Sequence, residues 1–140
     1  MKRILPGLVI VLLLVGWGMW RNRAVPTPAV FDPRPLAQVQ ADAEARGAVL
    51  LVKATASWCG PCRVMDRETF AAEPVAAAIR AAGLAAHVDI DQYPEAARAW
   101  GVQGVPTTIV FRGGREIGRV EGFLPPDAFR AWFEGVVAAK

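Results

Sequence analysis

The chain has 140 residues, of which 54% are hydrophobic and 21% charged, and its formal net charge is +3 at pH 7. This length fits one domain with a short additional segment. Four of the 16 basic residues (Lys2, Arg3, Arg21 and Arg23) fall in the first 23 residues, which contain no acidic residue, so 12 basic and 13 acidic residues remain for the rest. A nearly neutral domain gives no indication of a nucleic-acid-binding surface, and we predict none.

Residues 4–20 form an uncharged, apolar run. A run of this length is at the short end of what a transmembrane helix needs, and Trp17 and Trp20 lie where interfacial aromatic side chains usually occur. We therefore predict an uncleaved signal anchor or transmembrane segment over residues 1–23. The alternative is a signal peptide that is removed, but no small-x-small cleavage site closes the run. Basic residues flank both of its ends, so charge does not fix its orientation.

Residues 24–35 contain four prolines, which predicts a stiff, extended linker ahead of a domain over residues 36–140. Within this linker, Val30 and Phe31 either add a short edge strand or remain part of the linker. The sequence leaves both alternatives open.

After the linker, hydrophobic periodicity and the positions of glycine and proline predict alternating helices and strands. Helices are predicted over 35–46, from 59 to about 72, over 74–82 and 94–100, and from 125 or 126 to about 138; strands are predicted over 48–55, 84–90, 107–112 and 115–121. Gly113 and Gly114 are typical of the hairpin turn between the last two strands. This order predicts an α/β fold, in which a mixed central sheet is covered by helices on both faces.

The only cysteines, Cys59 and Cys62, lie where a buried strand ends and a helix begins. Their spacing places both side chains on one face of the helix start, where they can form a disulfide or a dithiol. The free N–H groups and the positive end of the helix dipole favour a thiolate on Cys59. Pro61 is compatible with the first turn, where its missing N–H costs little. We therefore expect Cys59 to be the exposed nucleophile and Cys62 the deeper, resolving thiol.

A metal site, a structural disulfide and a buried apolar pair are each less favoured for these two cysteines. A zinc site needs four ligands, and His87 is the only histidine in the chain, so we predict no metal. A structural disulfide that closes so short a loop stabilises little. The sequence Gly60-Pro61 between the cysteines suits a helix start better than a buried core. A redox function is the favoured interpretation.

Several motifs together resemble the thioredoxin family. Trp58-Cys59-Gly60-Pro61-Cys62 matches the family's active-site pentapeptide, and Gly104-Val105-Pro106-Thr107 is similar to its cis-proline loop. Phe111-Arg112-Gly113-Gly114 is similar to its last hairpin, and Gly122 to its substrate-groove glycine. The resemblance covers residues 48–139. The sequence Glu68-Thr69-Phe70 is closer to the soluble thioredoxin-like domains of membrane disulfide-interchange reductases.

The resemblance implies a thioredoxin fold and a thiol–disulfide oxidoreductase that reduces protein disulfides through the Cys59/Cys62 dithiol. It also implies that Pro106 is cis and lies opposite the cysteines, where the backbone of Val105 pairs with an extended substrate chain. The implied docking surface comprises Trp58, Gly60, Pro61, Gly104 and Gly122. No cofactor is expected beyond the redox-active disulfide, since the dithiol itself carries the electrons.

The same resemblance implies partners and a location. The expected partners are protein disulfides and an upstream thiol electron donor, and the protein is expected to be a monomer. It is expected in the inner membrane as a single-pass protein, attached through residues 4–20, with its domain facing the periplasm or cell exterior; secretion after signal cleavage is the alternative. The rival functions are a disulfide oxidase or isomerase, and a non-catalytic binding or chaperone module.

Lys53 departs from the family pattern. The resemblance implies a buried aspartate beneath the disulfide at this position, and a lysine partner where His87 stands. Lys53 therefore either lies under Cys62 and tunes its thiol, as a charged group or as a neutral base, or extends to the surface from a shifted strand. We include Lys53 with Cys59, Cys62 and Pro106 among the candidate catalytic residues.

Overall fold

The computed structural model describes residues 5–21 and 25–139. The helices are α1 (Leu5–Arg21), α2 (Leu36–Ala45), α3 (Gly60–Met65), α4 (Glu73–Ala82), α5 (Pro94–Ala99) and α6 (Pro126–Ala138), and a π-helical turn spans Asp66–Phe70. The strands are β1 (Val49–Thr55), β2 (Gly83–Asp89), β3 (Thr107–Arg112) and β4 (Arg115–Glu121). The predicted elements are therefore present with small differences at their ends, except that the helix predicted from residue 59 to about 72 is interrupted.

The four strands form one mixed sheet in the order β2-β1-β3-β4. Strand β1 runs parallel to β2 and antiparallel to β3, and β3 and β4 form an antiparallel hairpin. All seven residues of β1 are buried, which explains its continuous apolar sequence. The predicted mixed α/β fold is confirmed.

The alternating side chains of β1 belong to two apolar cores, one on each face of the sheet. Val49 and Leu51 join a core with side chains from α4 and α6. Leu50 and Val52 join a second core, to which α2 contributes. Because strand side chains alternate, Lys53 lies on the same face as Val49 and Leu51. The sequence thus places a lysine within the face that α4 and α6 cover.

The helix that we predicted from residue 59 to about 72 is interrupted. Helix α3 ends at Met65, and the chain continues through the π-helical turn before α4 begins. The buried hydroxyl of Thr69 donates to the carbonyl of Leu124 at 2.6 Å, which ties this turn to the loop before α6. Tertiary contacts of this kind override local helix propensity. Turns with π geometry often occur at functional sites, and this one begins at Asp66.

Gly83 both ends α4 and begins β2. A Cβ atom at this position would lie 2.0 Å from the carbonyl oxygen of Val49, since the two backbones approach closely where β2 pairs with β1. Gly83 is therefore required by packing as well as by the end of the helix.

Helix α1 includes most of the apolar run that we predicted to be a transmembrane segment. Its 17 residues span about 26 Å at about 1.5 Å per residue, whereas the hydrocarbon core of a bilayer is about 30 Å thick. Among residues 5–21 and 25–139, no helix combines the length and apolar character needed to cross a membrane. A transmembrane helix is therefore not supported by the structure. Lys2, Arg3 and Arg23 lie outside the described residues.

The segment before α2 packs against the domain. Phe31 is 5% exposed and belongs to the core beneath α4 and α6. Its ring centroid lies 4.9 Å from that of Phe70 and 5.1 Å from that of His87. The neighbouring Asp32 donates its backbone N–H to Ala85 of β2 at 2.8 Å. Val30 and Phe31 form a turn rather than an edge strand, and the side chain of Phe31 anchors this segment.

Replacing Phe31 with alanine is expected to destabilise the domain by about 3–5 kcal/mol, because a buried ring would leave a cavity. The matched control is Phe123→Ala, since Phe123 is 39% exposed and its loss should cost less than about 1 kcal/mol. The free energy of unfolding from urea denaturation measures both. Equal losses in the two variants would show that the core does not include Phe31.

Candidate active site

Cys59 and Cys62 form a disulfide at the start of α3. Cys59 is the N-cap residue, and its Sγ accepts a hydrogen bond from the backbone N–H of Cys62 at 3.2 Å. After reduction, the same N–H and the helix dipole would stabilise a thiolate on Cys59. Pro61 lies in the first turn of α3, as predicted.

Both cysteines are buried: Cys59 is 3% exposed and Cys62 is 1% exposed. Our expectation that Cys59 would be exposed is therefore wrong for the disulfide form. The cause is the loop before β3, since the carbonyl oxygen of Val105 lies 3.7 Å from the Sγ of Cys59. Val105 also packs on the small cluster of Ala56 and the two cysteines.

The Val105–Pro106 peptide bond is cis, which confirms the prediction for this loop. The carbonyl of Pro106 accepts a hydrogen bond from the backbone N–H of Gly122 at 2.7 Å. The hydroxyl of Thr107 donates to the carbonyl of Gly104, also at 2.7 Å. Gly122 has a φ of +88°, a conformation that L side chains rarely adopt. These contacts hold the loop against the disulfide.

A partly exposed rim surrounds the buried disulfide. Trp58 is 65% exposed, and its indole N–H donates to Asp91 at 2.9 Å. The remaining residues of the predicted docking surface are exposed or half-buried: Gly60, Pro61, Gly104, Val105 and Gly122. The structure therefore brings the predicted docking residues to the disulfide, while their binding role stays a prediction. In the described part of the chain, no cluster of His, Cys, Asp or Glu is arranged to hold a metal ion.

Lys53 lies beneath the disulfide and is 0% exposed. Its Nζ donates to the carbonyl of Cys62 at 3.1 Å and to Oδ1 of Asp66 at 2.6 Å. The same Nζ lies 5.6 Å from the centre of the Phe70 ring. The alternative in which Lys53 extends to the surface is therefore wrong.

Asp66 supplies the carboxylate that our sequence interpretation considered absent, and this part of the interpretation is wrong. Its Oδ1 binds Lys53, and its Oδ2 lies 3.3 Å from Nε2 of His87. A signal for Asp66 was present, because it follows Cys62 by one helical turn and falls on the same helix face. The registry of β1 and β2 also pairs Lys53 directly with His87, which brings all three side chains together.

Burial and hydrogen bonding shift the pKa values of Lys53 and Asp66 in opposite directions. Burial lowers the pKa of the Lys53 ammonium, and the hydrogen bond with Asp66 offsets only part of that effect. Burial would raise the pKa of the Asp66 carboxyl, but the hydrogen bonds from His87 and Lys53 outweigh it and hold the pKa below its ordinary value of 3.8. Asp66 is therefore an anion at neutral pH and compensates the charge of Lys53.

Residues 36–136 match the family model of the thioredoxin-like domain. The chain belongs to the thioredoxin-like family. It is accordingly a thioredoxin-like oxidoreductase, with its cysteine pair at Cys59 and Cys62. Membership implies protein disulfides as substrates and thiols as electron donors.

Individual thioredoxins show the same similarity in sequence. Thioredoxin from Alicyclobacillus acidocaldarius is 33% identical over 88 residues, which cover 63% of this chain and 81% of that protein. Thioredoxin H2-1 from rice, Oryza sativa subsp. japonica, is 40% identical over 77 residues, which cover 53% of this chain and about half (51%) of the rice protein.

Solved structures agree with the thioredoxin-like assignment. The solution structure of a thioredoxin from Thermus thermophilus has a TM-score of 0.68 at 26% identity, covering 74% of this chain and 85% of that one. The DsbH oxidoreductase has a TM-score of 0.70 at 13% identity and covers 81% of this chain and 89% of its own, which shows the shared fold alone. The thioredoxin-like pattern that we expected places the buried acid on β1, at the position of Lys53. In this chain the buried acid is instead Asp66, which directly follows α3.

Proposed function

We propose that this protein reduces disulfide bonds of extracytoplasmic proteins. The observation that supports this direction is the pairing of Lys53 with Asp66. An unpaired ammonium beneath Cys62 would stabilise thiolates and make the protein a stronger oxidant. Because Asp66 compensates that charge, the main argument for an oxidant is removed, and the resemblance of the Gly60-Pro61 motif to reducing thioredoxins supports a reductase.

The first step is attack by the thiolate of Cys59 on a disulfide of the partner protein. A bond forms between Cys59 and one partner sulfur, and the other partner sulfur leaves as a thiolate. The partner chain would lie along the cis-proline loop, where the backbone of Val105 is available to pair with an extended strand. The buried position of Cys59 means that the partner must approach through the rim around Trp58.

The second step is attack by Cys62 on the sulfur of Cys59. Cys62 first gives up its proton, and we assign Asp66 as the acceptor, since Lys53 binds both Asp66 and the backbone of Cys62. The Cys59–Cys62 bond then forms, and the partner leaves with two electrons more than it brought. An upstream thiol donor returns the dithiol.

Reduction of insulin by dithiothreitol tests the proposal, because precipitation of the released chains reports the rate. We expect the wild-type protein to accelerate precipitation strongly while accelerating the oxidative refolding of reduced ribonuclease only weakly. The reverse ranking would indicate an oxidase or isomerase. Activity in neither assay would indicate a binding or chaperone module.

We further propose that residues 4–20 hold the domain at the outer face of the cytoplasmic membrane. The side chains of residues 8–15 are each more than half exposed in the chain, and an apolar surface of this kind needs lipid or another protein to cover it. Cell fractionation, with N-terminal sequencing of the native protein, tests this. Recovery in the soluble fraction with the apolar run removed would indicate a secreted protein instead.

A further inference from the structure

We propose that His87 controls the resolving step: when its imidazole is protonated, it holds Asp66 as an anion and slows the transfer of the Cys62 proton to Asp66. This inference rests on the proposed function, because it concerns the second step of disulfide reduction. His87 acts through Asp66 and touches no reacting sulfur, so it is a positioning residue.

The two oxygens of Asp66 have different partners. Oδ1 lies 2.6 Å from the Nζ of Lys53, and Oδ2 lies 3.3 Å from Nε2 of His87. With a neutral imidazole, one cation faces the carboxylate; with an imidazolium, a cation faces each of its two oxygens. The second cation makes protonation of Asp66 less favourable, and a weaker base takes the Cys62 proton more slowly.

His87 is also the member of the cluster that is open to solution. Its side chain is 22% exposed, against 7% for Asp66 and 0% for Lys53. Asp66 and His87 together line an open cavity of about 450 Å³, which also includes Ser57 and Arg63. His87 is therefore the member of the cluster that solvent reaches most, while the Lys53–Asp66 ion pair behind it is shielded.

The other charged and titratable groups around His87 come from four parts of the chain. Where the structure shows a side-chain hydrogen bond for one of these groups, its partner is a residue other than His87. They are Arg63 from α3, Asp89 from β2 itself, Asp32 and Arg34 from the segment before α2, and Tyr93 from the turn before α5. Arg63 donates to the carbonyl of Ser57, Asp89 accepts from the backbone of Asp91, and Asp32 pairs with Arg34. The ring of Phe31 packs edge-on against the imidazole and closes the apolar side.

Atoms and electrons balance in the resolving step. The S–H bond of Cys62 breaks, and its proton goes to Asp66. The Cys62 sulfur bonds to the Cys59 sulfur, and the bond between Cys59 and the partner breaks. The partner sulfur leaves with the electron pair of that bond as a thiolate, which water protonates. Because a protonated imidazole would weaken Asp66 as a base, the step should slow as pH falls.

Stopped-flow reaction of the reduced protein with an excess of a chromogenic nitrobenzoate disulfide separates the two steps. Attack by Cys59 releases one coloured thiolate at a rate proportional to reagent concentration. Attack by Cys62 on the mixed disulfide releases the second at a rate independent of concentration. The two phases are measured from pH 5 to 8 for the wild type, His87→Gln, which stays neutral, and His87→Lys, which stays charged.

Near pH 5 we expect the second phase of His87→Gln to be about tenfold faster than that of the wild type. This factor is smaller than the full rate enhancement that a general base provides. Near pH 8 the wild type should match His87→Gln, and His87→Lys should be about tenfold slower than both. The first phase should be the same in all three, which also reports that the variants are folded.

Two results would overturn the inference, and they differ from a failure of the proposed function. If the second phases of wild type and His87→Gln follow the same curve down to pH 5, the charge of His87 has no role. If His87→Lys equals the wild type near pH 8, a second cation does not weaken Asp66 as a base. Absence of a concentration-independent phase in the wild type would instead contradict resolution by Cys62 and the proposed function itself.

Discussion

A Cys62→Ser variant is expected to stop after the first step and to remain joined to its partner by a disulfide from Cys59. Turnover should fall to background, because serine cannot attack the sulfur of Cys59 and release the partner. The structure supports this order of events, since the N-cap position of Cys59 places its sulfur against the N–H of Cys62. Incubation with a disulfide-containing protein, followed by electrophoresis without reducing agent, measures the covalent complex.

The matched control is Cys59→Ser, which removes the attacking sulfur but keeps Cys62. This variant should trap almost nothing, because Cys62 is 1% exposed and lies inside α3, behind the N-cap residue at position 59. A covalent complex with Cys59→Ser and none with Cys62→Ser would reverse the roles of the two cysteines. Mass spectrometry of the trapped complexes would also identify the partners.

An Asp66→Ala variant is expected to lose about 3–5 kcal/mol of stability, because it leaves the ammonium of Lys53 buried without a counter-charge. Restoring neutrality by the double change Lys53→Met with Asp66→Leu should recover most of this loss, since apolar side chains of similar volume can replace a buried ion pair. Denaturation with urea measures the free energy of unfolding of each variant.

The control for this cycle is Asp42→Ala on the surface. Asp42 pairs with Arg34 and Arg46, whose side chains are 42% and 62% exposed, so its loss should cost less than about 1 kcal/mol. A loss for Asp66→Ala as small as that for Asp42→Ala would mean that Lys53 is neutral in the folded protein.

The contribution of Asp66 to stability should depend on pH in a defined direction. Its pKa in the folded protein lies below the ordinary value of 3.8, so the unfolded state binds the proton more readily. The stabilisation is therefore fully present above the unfolded pKa and is lost as pH falls through the folded pKa. In a His87→Gln background, the difference in unfolding free energy between the protein with Asp66 and its Asp66→Asn variant should be constant near neutral pH and should shrink below about pH 4. A difference that grows toward acid pH would contradict the assignment.

The sheet and most helix ends could be predicted because their signals are local. The apolar run of β1, the Gly113-Gly114 turn and the prolines at the starts of α5 and α6 each act over a few residues. The π-helical turn after Met65 could not be predicted, since it depends on contacts such as that between Thr69 and Leu124, which are 55 residues apart. Burial of Cys59 likewise depends on Val105, 46 residues away.

The sequence predicted the parts of the candidate site that a motif specifies. It did not predict the parts that depend on how side chains pack in the fold. The cysteines and the cis bond at Pro106 are motif features, and both are present in the structure. A lysine in an apolar strand is compatible with either burial or extension to the surface, and only the partner decides between them. That partner, Asp66, lies 13 residues along the chain and reaches Lys53 through the fold. A Pro-rich segment likewise gives no local sign that Phe31 belongs to the core.

The anchoring of Phe31 and Asp32 also bears on self-association. Strand β2 is at the edge of the sheet, and an open edge offers unpaired N–H and C=O groups to a strand from another molecule. The bond from Asp32 to Ala85 occupies part of this edge, and the chain around Phe31 lies beside it. A fragment that begins at Leu36, where the family match begins, would keep all four strands but leave this edge uncovered. We expect such a fragment to aggregate by edge-to-edge pairing, so the segment from Pro28 to Pro35 protects the solubility of the domain.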